Sequence, residues 1–560
     1  MLQATAPALP QTRFARAKKA RRAQKATEQE AAAAPTAQTA QTAQVTEARP
    51  ERLRPLTKLL LACGAVLALF AGVRLSAPLA WSYDEFYHLG LAREMLSGIR
   101  LTSFHWTPFS ILYDHYADAT PLFHLLLMPF ARLPFGTASF LGVLLGQTFL
   151  LGAFGFALWS LRVPRPWWFV LALPALGSLF AQRMEMCRPQ IWLIGFSVLV
   201  LALLVERRWK TMFVVCALFG LTHTGGWIAF PMAVLWSVSG WATPRNPRNP
   251  RDPRDSRDPD RRRVPWQPVA MAAGGWLLGQ LVHPDIPENF RLFFMSNFVI
   301  PFQATAAGDA ALRSQLGTEL APPGMDLVVE QWPALIAPVL VAFSLLTQPR
   351  VRTRATLTTG LTALAFVIAG SLFIRRFFEL GAPLAILALA LVLRERRAAG
   401  IPPLWPKWGR AAAAVAIAAG LLWGFEAFRF YNFGHESPPD LMAAWMSEHG
   451  AKGERVFTAQ WADSAPLFYF APQLQTLVAL DPTAFYMKDP RLFETYVTIV
   501  QGRHPNPADA IRRQFGARWV TLWKMPAYKA LGFQLMGTPG ARIAWNDRAY
   551  MVVDLGKPGA

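Results

Sequence analysis

Asp84 and Glu85 stand side by side in the stretch Trp81-Ser82-Tyr83-Asp84-Glu85-Phe86-Tyr87-His88-Leu89, immediately past a long apolar block. An unpaired carboxylate beside hydrocarbon costs up to about 3 kcal/mol, so a pair of them there calls for a reason. One reason is structural: Ser82 with Glu85 three residues on makes a capping box, and Asp84 would sit in the first helical turn, where the macrodipole favours an anion. The other is chemical, because a carboxylate at an interface can take a proton from a hydroxyl as general base. His88 lies one turn beyond Asp84 on the same face.

More polar groups follow. His105 precedes Trp106, and Asp114, His115, Asp118 and His124 are close behind in Tyr113-Asp114-His115-Tyr116-Ala117-Asp118-Ala119-Thr120-Pro121-Leu122-Phe123-His124. Such histidines could ligate a divalent metal with Asp84 or Asp114, contact a phosphate, or stack at an aromatic interface, and their spacing matches no strong metal motif. Arg183 and Arg188 flank Glu185, His223 ends another apolar run, His283 leads to Asp285 and Glu288, and Arg375-Arg376 precede Glu379. Guanidinium groups suit bidentate phosphate binding, while a salt bridge to Glu379 with interfacial snorkelling is the structural alternative for the arginine pair.

These residues need a scaffold, and composition says what kind. Of the 560 residues 53% are hydrophobic and only 16% charged, with the apolar ones in long blocks. Eleven candidate spans result: roughly 56–76, 136–161, 166–182, 189–205, 211–223, 225–241, 266–282, 332–347, 356–374, 378–393 and 410–428. With the N-terminus inside, every predicted inside connection is basic: Arg162 and Arg165; Arg207, Arg208 and Lys210; the Arg/Pro/Asp linker 243–265; Arg350, Arg352 and Arg354; and Arg394 to Arg410. The formal charge of +21 is thereby accounted for by topogenesis, and no nucleic-acid partner is expected. The expected fold class is a polytopic α-helical membrane protein.

Residues 1–55 read as a disordered basic cytoplasmic tail, and 56–430 as the membrane domain with outer loops 79–135 and 283–331. Residues 431–560 read as a small α/β or α+β domain outside. Arg455–Thr458 and Arg518–Leu522 look like strands, 439–448 and 509–515 like helices, and Asp481-Pro482 and Gly537–Gly540 like turns. In that domain Trp461, Asp463, Asp481, Phe485, Tyr486 and Asp489 could line an acceptor surface or serve as core aromatics and turn acids. Cys63, Cys187 and Cys216 show no paired framework, so neither a disulfide nor a zinc site is expected.

At the acidic pair the sequence resembles the GT-C membrane glycosyltransferases, a superfamily that includes protein O-mannosyltransferases and the aminoarabinose transferases acting on lipid A. The likeness is carried by Asp84-Glu85 after the first span, by Tyr87-His88-Leu89 through Ala92-Arg93-Glu94-Met95-Leu96, by Ala119-Thr120-Pro121-Leu122-Phe123-His124-Leu125-Leu126, which looks like that family's His-Pro-Pro-Leu segment, and by Arg188-Pro189 and Leu221-Thr222-His223. The resemblance implies a multi-pass inner-membrane enzyme with a periplasmic C-terminal domain. It would transfer a hexosyl or pentosyl group from a polyprenyl-phosphate-linked donor to a hydroxyl of lipid, glycan or protein. It implies Asp84 as base, with Glu85 orienting a neighbour or the acceptor, and His88, His105, His115, Arg183, Arg188, His223, Arg375 and Arg376 as substrate-binding candidates, with a divalent metal ion as an option. The loop 283–331 is a candidate lid. A lipid transporter or flippase and a non-catalytic envelope-assembly protein are the rivals; transporters, however, place their sites near the midplane and commonly carry internal repeats, which this sequence lacks.

Overall fold

The computed structural model describes residues 37–76, 82–99, 101–243, 265–305, 307–321, 323–402, 439–478 and 481–557, with a few positions between 411 and 422. The basic start of the tail, nearly all of the linker 243–265 and most of the expected span 410–428 lie outside these residues. Two compact units, Met1–Lys58 and Leu59–Ala560, divide the chain, and every contact described below belongs to the second. The first helix, Ala37–Ser76, begins inside the tract read as disordered tail, where an alanine-rich sequence favours helix.

Among the described residues four helices are long and apolar enough to cross a membrane: Pro55–Ser76, Phe135–Ser160, Arg354–Leu372 and Phe377–Ala398. Shorter apolar helices at Gln190–Glu206, Trp209–Thr222 and Trp332–Thr347 match further expected spans in position. The third expected span, 166–182, departs from expectation, for it is three pieces: Trp167–Leu171, Leu173–Ala175 and Ser178–Met184. Pro174 donates no backbone hydrogen bond, and Gly177 takes a φ of 100°. A side chain at Gly177 would collide with Gln331, since its Cβ would lie 2.5 Å from Gln331 Oε1.

Close helix packing sets the frame. The Trp209–Thr222 helix lies against Trp266–Leu281, where a Cβ on Gly275 would come 2.2 Å from the Phe213 carbonyl and one on Gly279 2.4 Å from that of Ala217. Small residues four apart thus bring two backbones together, the device membrane helices use in place of a hydrophobic driving force. The segment after Trp266–Leu281 runs through Glu288–Phe294, a π-turn at Met295–Val299 and Ile300–Gln303. Phe294, Phe298 and Phe302, spaced by four, are 60%, 46% and 55% exposed along it.

Residues 439–557 build a five-stranded mixed sheet in the order β2-β1-β3-β5-β4, with β1 Arg455–Thr458, β2 Gln475–Thr476, β3 Ala517–Trp523, β4 Arg542–Asn546 and β5 Tyr550–Asp554. β1 pairs in parallel with β2 and β3, while β5 runs antiparallel to both β3 and β4. Strands β1 and β3 and the helices Pro439–His449 and Pro507–Gln514 fall where the sequence pattern placed them. This unit braces the helix that carries the acidic pair. Helix Ser464–Phe470 packs on Tyr83–Leu96, and Phe468 lies so close to Gly90 that a Cβ there would be 2.6 Å from its ring.

Candidate active site

Helix Tyr83–Leu96 starts at Ser82, whose hydroxyl accepts from the Asp84 N–H at 3.2 Å. The expected capping box is not made, because the Ser82 hydroxyl caps Asp84 rather than Glu85 and the Glu85 side chain turns elsewhere. It is fully buried, accepting from Arg74 Nη2 at 2.9 Å, from Ser139 Oγ at 2.6 Å and from the Cys187 N–H at 3.3 Å. Arg74 also donates to the Glu185 carbonyl at 3.2 Å. Glu85 therefore ties the end of the first membrane helix to the Phe135–Ser160 helix and to the turn before Arg188. A buried ion pair satisfied on several sides is a structural anchor, costly to break from one side.

Asp84 faces the other way and pairs with Arg188. Arg188 reaches on to Glu319, with Nη1 3.3 Å from Oε2 and Nη2 3.3 Å from Oε1. Arg183 donates to the same carboxylate at 3.0 Å and holds Glu379 through two bonds of 2.7 and 2.6 Å. Arg376 Nη2 lies 3.7 Å from Glu319 Oε1. One loop carboxylate thus collects three guanidinium groups from two different turns. Burial alone would raise the Glu319 carboxyl, but Arg188, Arg376 and Arg183 hold it well below the usual carboxylate range. The loop is tied down by its backbone as well, since the Arg376 N–H donates to the Glu319 carbonyl and the Arg375 N–H to that of Ala321, each at 3.3 Å.

His223 borders this cluster, with Arg376, Arg188 and Arg183 as its charged neighbours, and its Nδ1 accepts from the Gly225 N–H at 2.8 Å. His88 is buried beside Arg188. The structure therefore brings together Asp84, His88, Arg183, Arg188, His223 and Arg376 of the sequence candidates. It does not bring in His105, exposed and stacked on Trp106 at 3.7 Å between ring centres, or His115, exposed and 3.2 Å from Glu288. Glu379 pairs with Arg183 rather than with the arginine couple expected to hold it. Glu319 was not among the sequence candidates; an isolated Glu in a loop carries no local pattern, and only the arginines at the span ends hinted that a countercharge must exist.

No group of three His, Cys, Asp or Glu side chains that could hold a metal ion occurs among the described residues. Of the donors named for one, Asp84 is engaged by Arg188, Asp114 by Lys488 at 2.7 Å, His115 by Glu288 at 3.2 Å and His124 by Asp118 at 2.6 Å. The side chains as placed do not fit a divalent ion, and no step is derived through one.

In the C-terminal unit, Phe485 is fully buried, Asp489 caps a helix by accepting from the Leu492 N–H at 2.9 Å, and Asp481 accepts from the Thr483 N–H at 2.7 Å, the roles of core aromatic and turn acids. Asp463 is different. It is fully buried, accepts from the Tyr550 hydroxyl at 3.1 Å, and leaves Oδ2 without a partner. Burial pushes its carboxyl up to about 8. The Tyr550 hydroxyl is in turn 2.7 Å from that of Tyr83, the residue before Asp84.

No family model and no curated protein matches the sequence. Solved structures do. The archaeal oligosaccharyltransferase AglB from Archaeoglobus fulgidus, in complex with an inhibitory peptide and a dolichol-phosphate, aligns over 87% of this chain and 72% of its own with a TM-score of 0.55 at 10% identity. The apo form of the Archaeoglobus fulgidus oligosaccharyltransferase aligns over 84% and 71% with a TM-score of 0.51 at 11% identity. At such identities the likeness is one of fold alone, a fold this chain shares with both oligosaccharyltransferase structures.

Proposed function

We propose that this protein is a membrane glycosyltransferase that moves a sugar from a polyprenyl-phosphate-linked donor to a hydroxyl of a lipid, glycan or protein at the periplasmic face of the inner membrane. The observation that carries this reading is the meeting of Arg183, Arg188 and Arg376 on one carboxylate, with Asp84 on the far side of Arg188. Three guanidinium groups around a carboxylate make a seat that suits a phosphate: the donor phosphodiester matches the carboxylate in charge, and the departing monoester gains a further charge and a third terminal oxygen for the arginines to hold. The donor's tail stays in the bilayer while its head meets water, which is what a site at the ends of the helices allows. The archaeal oligosaccharyltransferase of the same fold was solved with a dolichol-phosphate, a carrier of this chemical class.

In the reaction the acceptor oxygen attacks the anomeric carbon and Asp84 takes its proton as general base. The bond from the anomeric carbon to phosphate breaks, and the charge growing on the departing phosphate is met by the three arginines. Glu319 holds that seat until the donor arrives, so the loop 283–331 acts as a lid whose carboxylate and the donor phosphate exclude each other. Eleven crossings with basic inside connections, a cytoplasmic residue 1–55 tail and an outer 431–560 domain complete the reading.

The test is the full-length protein in lipid nanodiscs given a panel of polyprenyl-phosphate hexoses and pentoses together with a cell-envelope extract of the host as the source of acceptor hydroxyls, with release of polyprenyl phosphate as readout. Release by the native protein and loss of it in Asp84→Asn is the expected result. A protein that moves labelled polyprenyl lipid across vesicles and releases none would be a transporter, and the proposal would fail.

A further inference from the structure

Beneath the site runs a line of three side chains, two of which sugar transfer as described leaves idle. Asp118 Oδ2 lies 2.6 Å from His124 Nδ1, and His124 Nε2 lies 2.7 Å from His88 Nδ1. All three residues are buried, at 7%, 0% and 6% exposure. The Asp118 end is fixed from several sides. Its Oδ1 accepts from the Thr120 N–H at 2.9 Å, its N–H donates to Asp285 Oδ2 at 2.8 Å, and its carbonyl is 3.0 Å from His283 Nε2.

The direction of these bonds follows from chemistry. A carboxylate only accepts, so the proton between Asp118 and His124 belongs to His124 Nδ1. A neutral imidazole protonated there has its lone pair on Nε2, so His88 Nδ1 must donate to it. That places the lone pair of His88 on Nε2, which has no hydrogen-bond partner among the described residues. His88 is four residues after Asp84 on one helix face, with Arg188 and His223 as its other charged or titratable neighbours. Burial, followed by the charges of His124, Arg188 and His223, holds the His88 imidazole well below its ordinary pKa. His88 is therefore suited to passing a proton and unsuited to keeping one, whereas His124 touches a carboxylate able to balance its charge.

We propose that His88, His124 and Asp118 form a proton relay that carries the acceptor's proton from Asp84 into the protein, an inference that rests on the sugar-transfer reading. The acceptor O–H proton passes from Asp84 to His88 Nε2, and the Nδ1 proton of His88 passes to His124 Nε2. His124 becomes an imidazolium against the Asp118 carboxylate, and His88 is left neutral as the other tautomer. Asp84 is an anion again before the product leaves. Reverse transfer after product release returns the proton to water, so no further reactant is needed. His124 and Asp118 are positioning and relay residues, touching no substrate.

Full-length protein labelled with ¹⁵N-histidine in nanodiscs reads the relay without any substrate, with His88→Gln and His124→Gln assigning the signals. The native protein is expected to show His88 neutral with its proton on Nδ1. Asp118→Asn, whose amide can donate, should reverse His124 and through it move the His88 proton to Nε2. A native His88 protonated on Nε2, or a His88 signal unmoved by Asp118→Asn, overturns the relay. With the donor panel above, Asp118→Asn and His124→Gln should each lower kcat roughly 10- to 100-fold with KM within about twofold. A thermal midpoint is taken on each to confirm folding. Native kcat in a folded Asp118→Asn variant with reversed tautomers would remove the relay from catalysis. A native protein that turns over no donor refutes sugar transfer instead, while the nitrogen spectra still decide the bond order.

Discussion

Asp84 and Glu85 are chain neighbours that end in opposite electrical surroundings, and the difference separates two experiments. Asp84 keeps a partly exposed carboxylate against Arg188, so Asp84→Asn should fold as the native protein does and lose roughly 10²- to 10⁴-fold in kcat, read as polyprenyl phosphate release. Glu85 is sealed among Arg74, Ser139 and Cys187, and Glu85→Ala should break the buried Arg74–Glu85 ion pair from one side at a cost of about 3–5 kcal/mol, seen as poor yield and a lowered thermal midpoint. Asp463 gives a third, pH-dependent outcome. Its carboxyl sits near 8 in the fold against an ordinary value of about 4 unfolded, so the native state binds its proton more tightly. Stability from this group is present in full below the unfolded value and is lost as the pH rises through about 8. Thermal unfolding followed from pH 5 to 9 should decline with pH more steeply in the native protein than in Asp463→Asn; parallel curves would refute it. At this scale the sequence displayed Asp84, Arg183, Arg188 and Arg376 because hydropathy made them anomalous, yet their partner Glu319 lies in a polar loop where one more acid stands out from nothing.

The apolar blocks foretold most helices because length and hydropathy are local properties. Span 166–182 is broken into three pieces because Pro174 and Gly177 act through backbone geometry inside an otherwise apolar run. In the C-terminal unit β1 and β3 were readable from their apolar, β-branched and aromatic residues, while β4 and β5, which complete the sheet by antiparallel pairing, were not. Two elements carry predictions. Gly279→Val would push a side chain into the Ala217 carbonyl and should destabilise the helix pair by about 1–3 kcal/mol or more, measured as a fall in thermal midpoint; an unshifted midpoint would show that the two backbones do not touch. Glu319→Ala should free the arginine seat, tightening polyprenyl phosphate binding by about tenfold, the equivalent of about 1.4 kcal/mol, and exposing the 283–331 loop to protease. Unchanged affinity would make Glu319 a fixed brace rather than a gate.

At the level of the whole molecule, the proposed orientation makes one demand. Asp84 and Arg376, linked through Arg188 and Glu319, must face the same side of the bilayer. Cysteines placed at Thr102 and Gly317 should react with an impermeant maleimide from outside in intact cells, and one at Arg208 only after lysis. Opposite labelling of the first two would dismantle the site. The row of Phe294, Phe298 and Phe302 lies in the same segment between helices that later supplies Glu319. Exposed rings in a row on a membrane protein find their natural solvent in acyl chains, so the proposed gate would hang from the lipid as much as from the protein. Turnover should then respond to acyl length and packing, and extraction into detergent micelles would alter the catalyst as well as its surroundings.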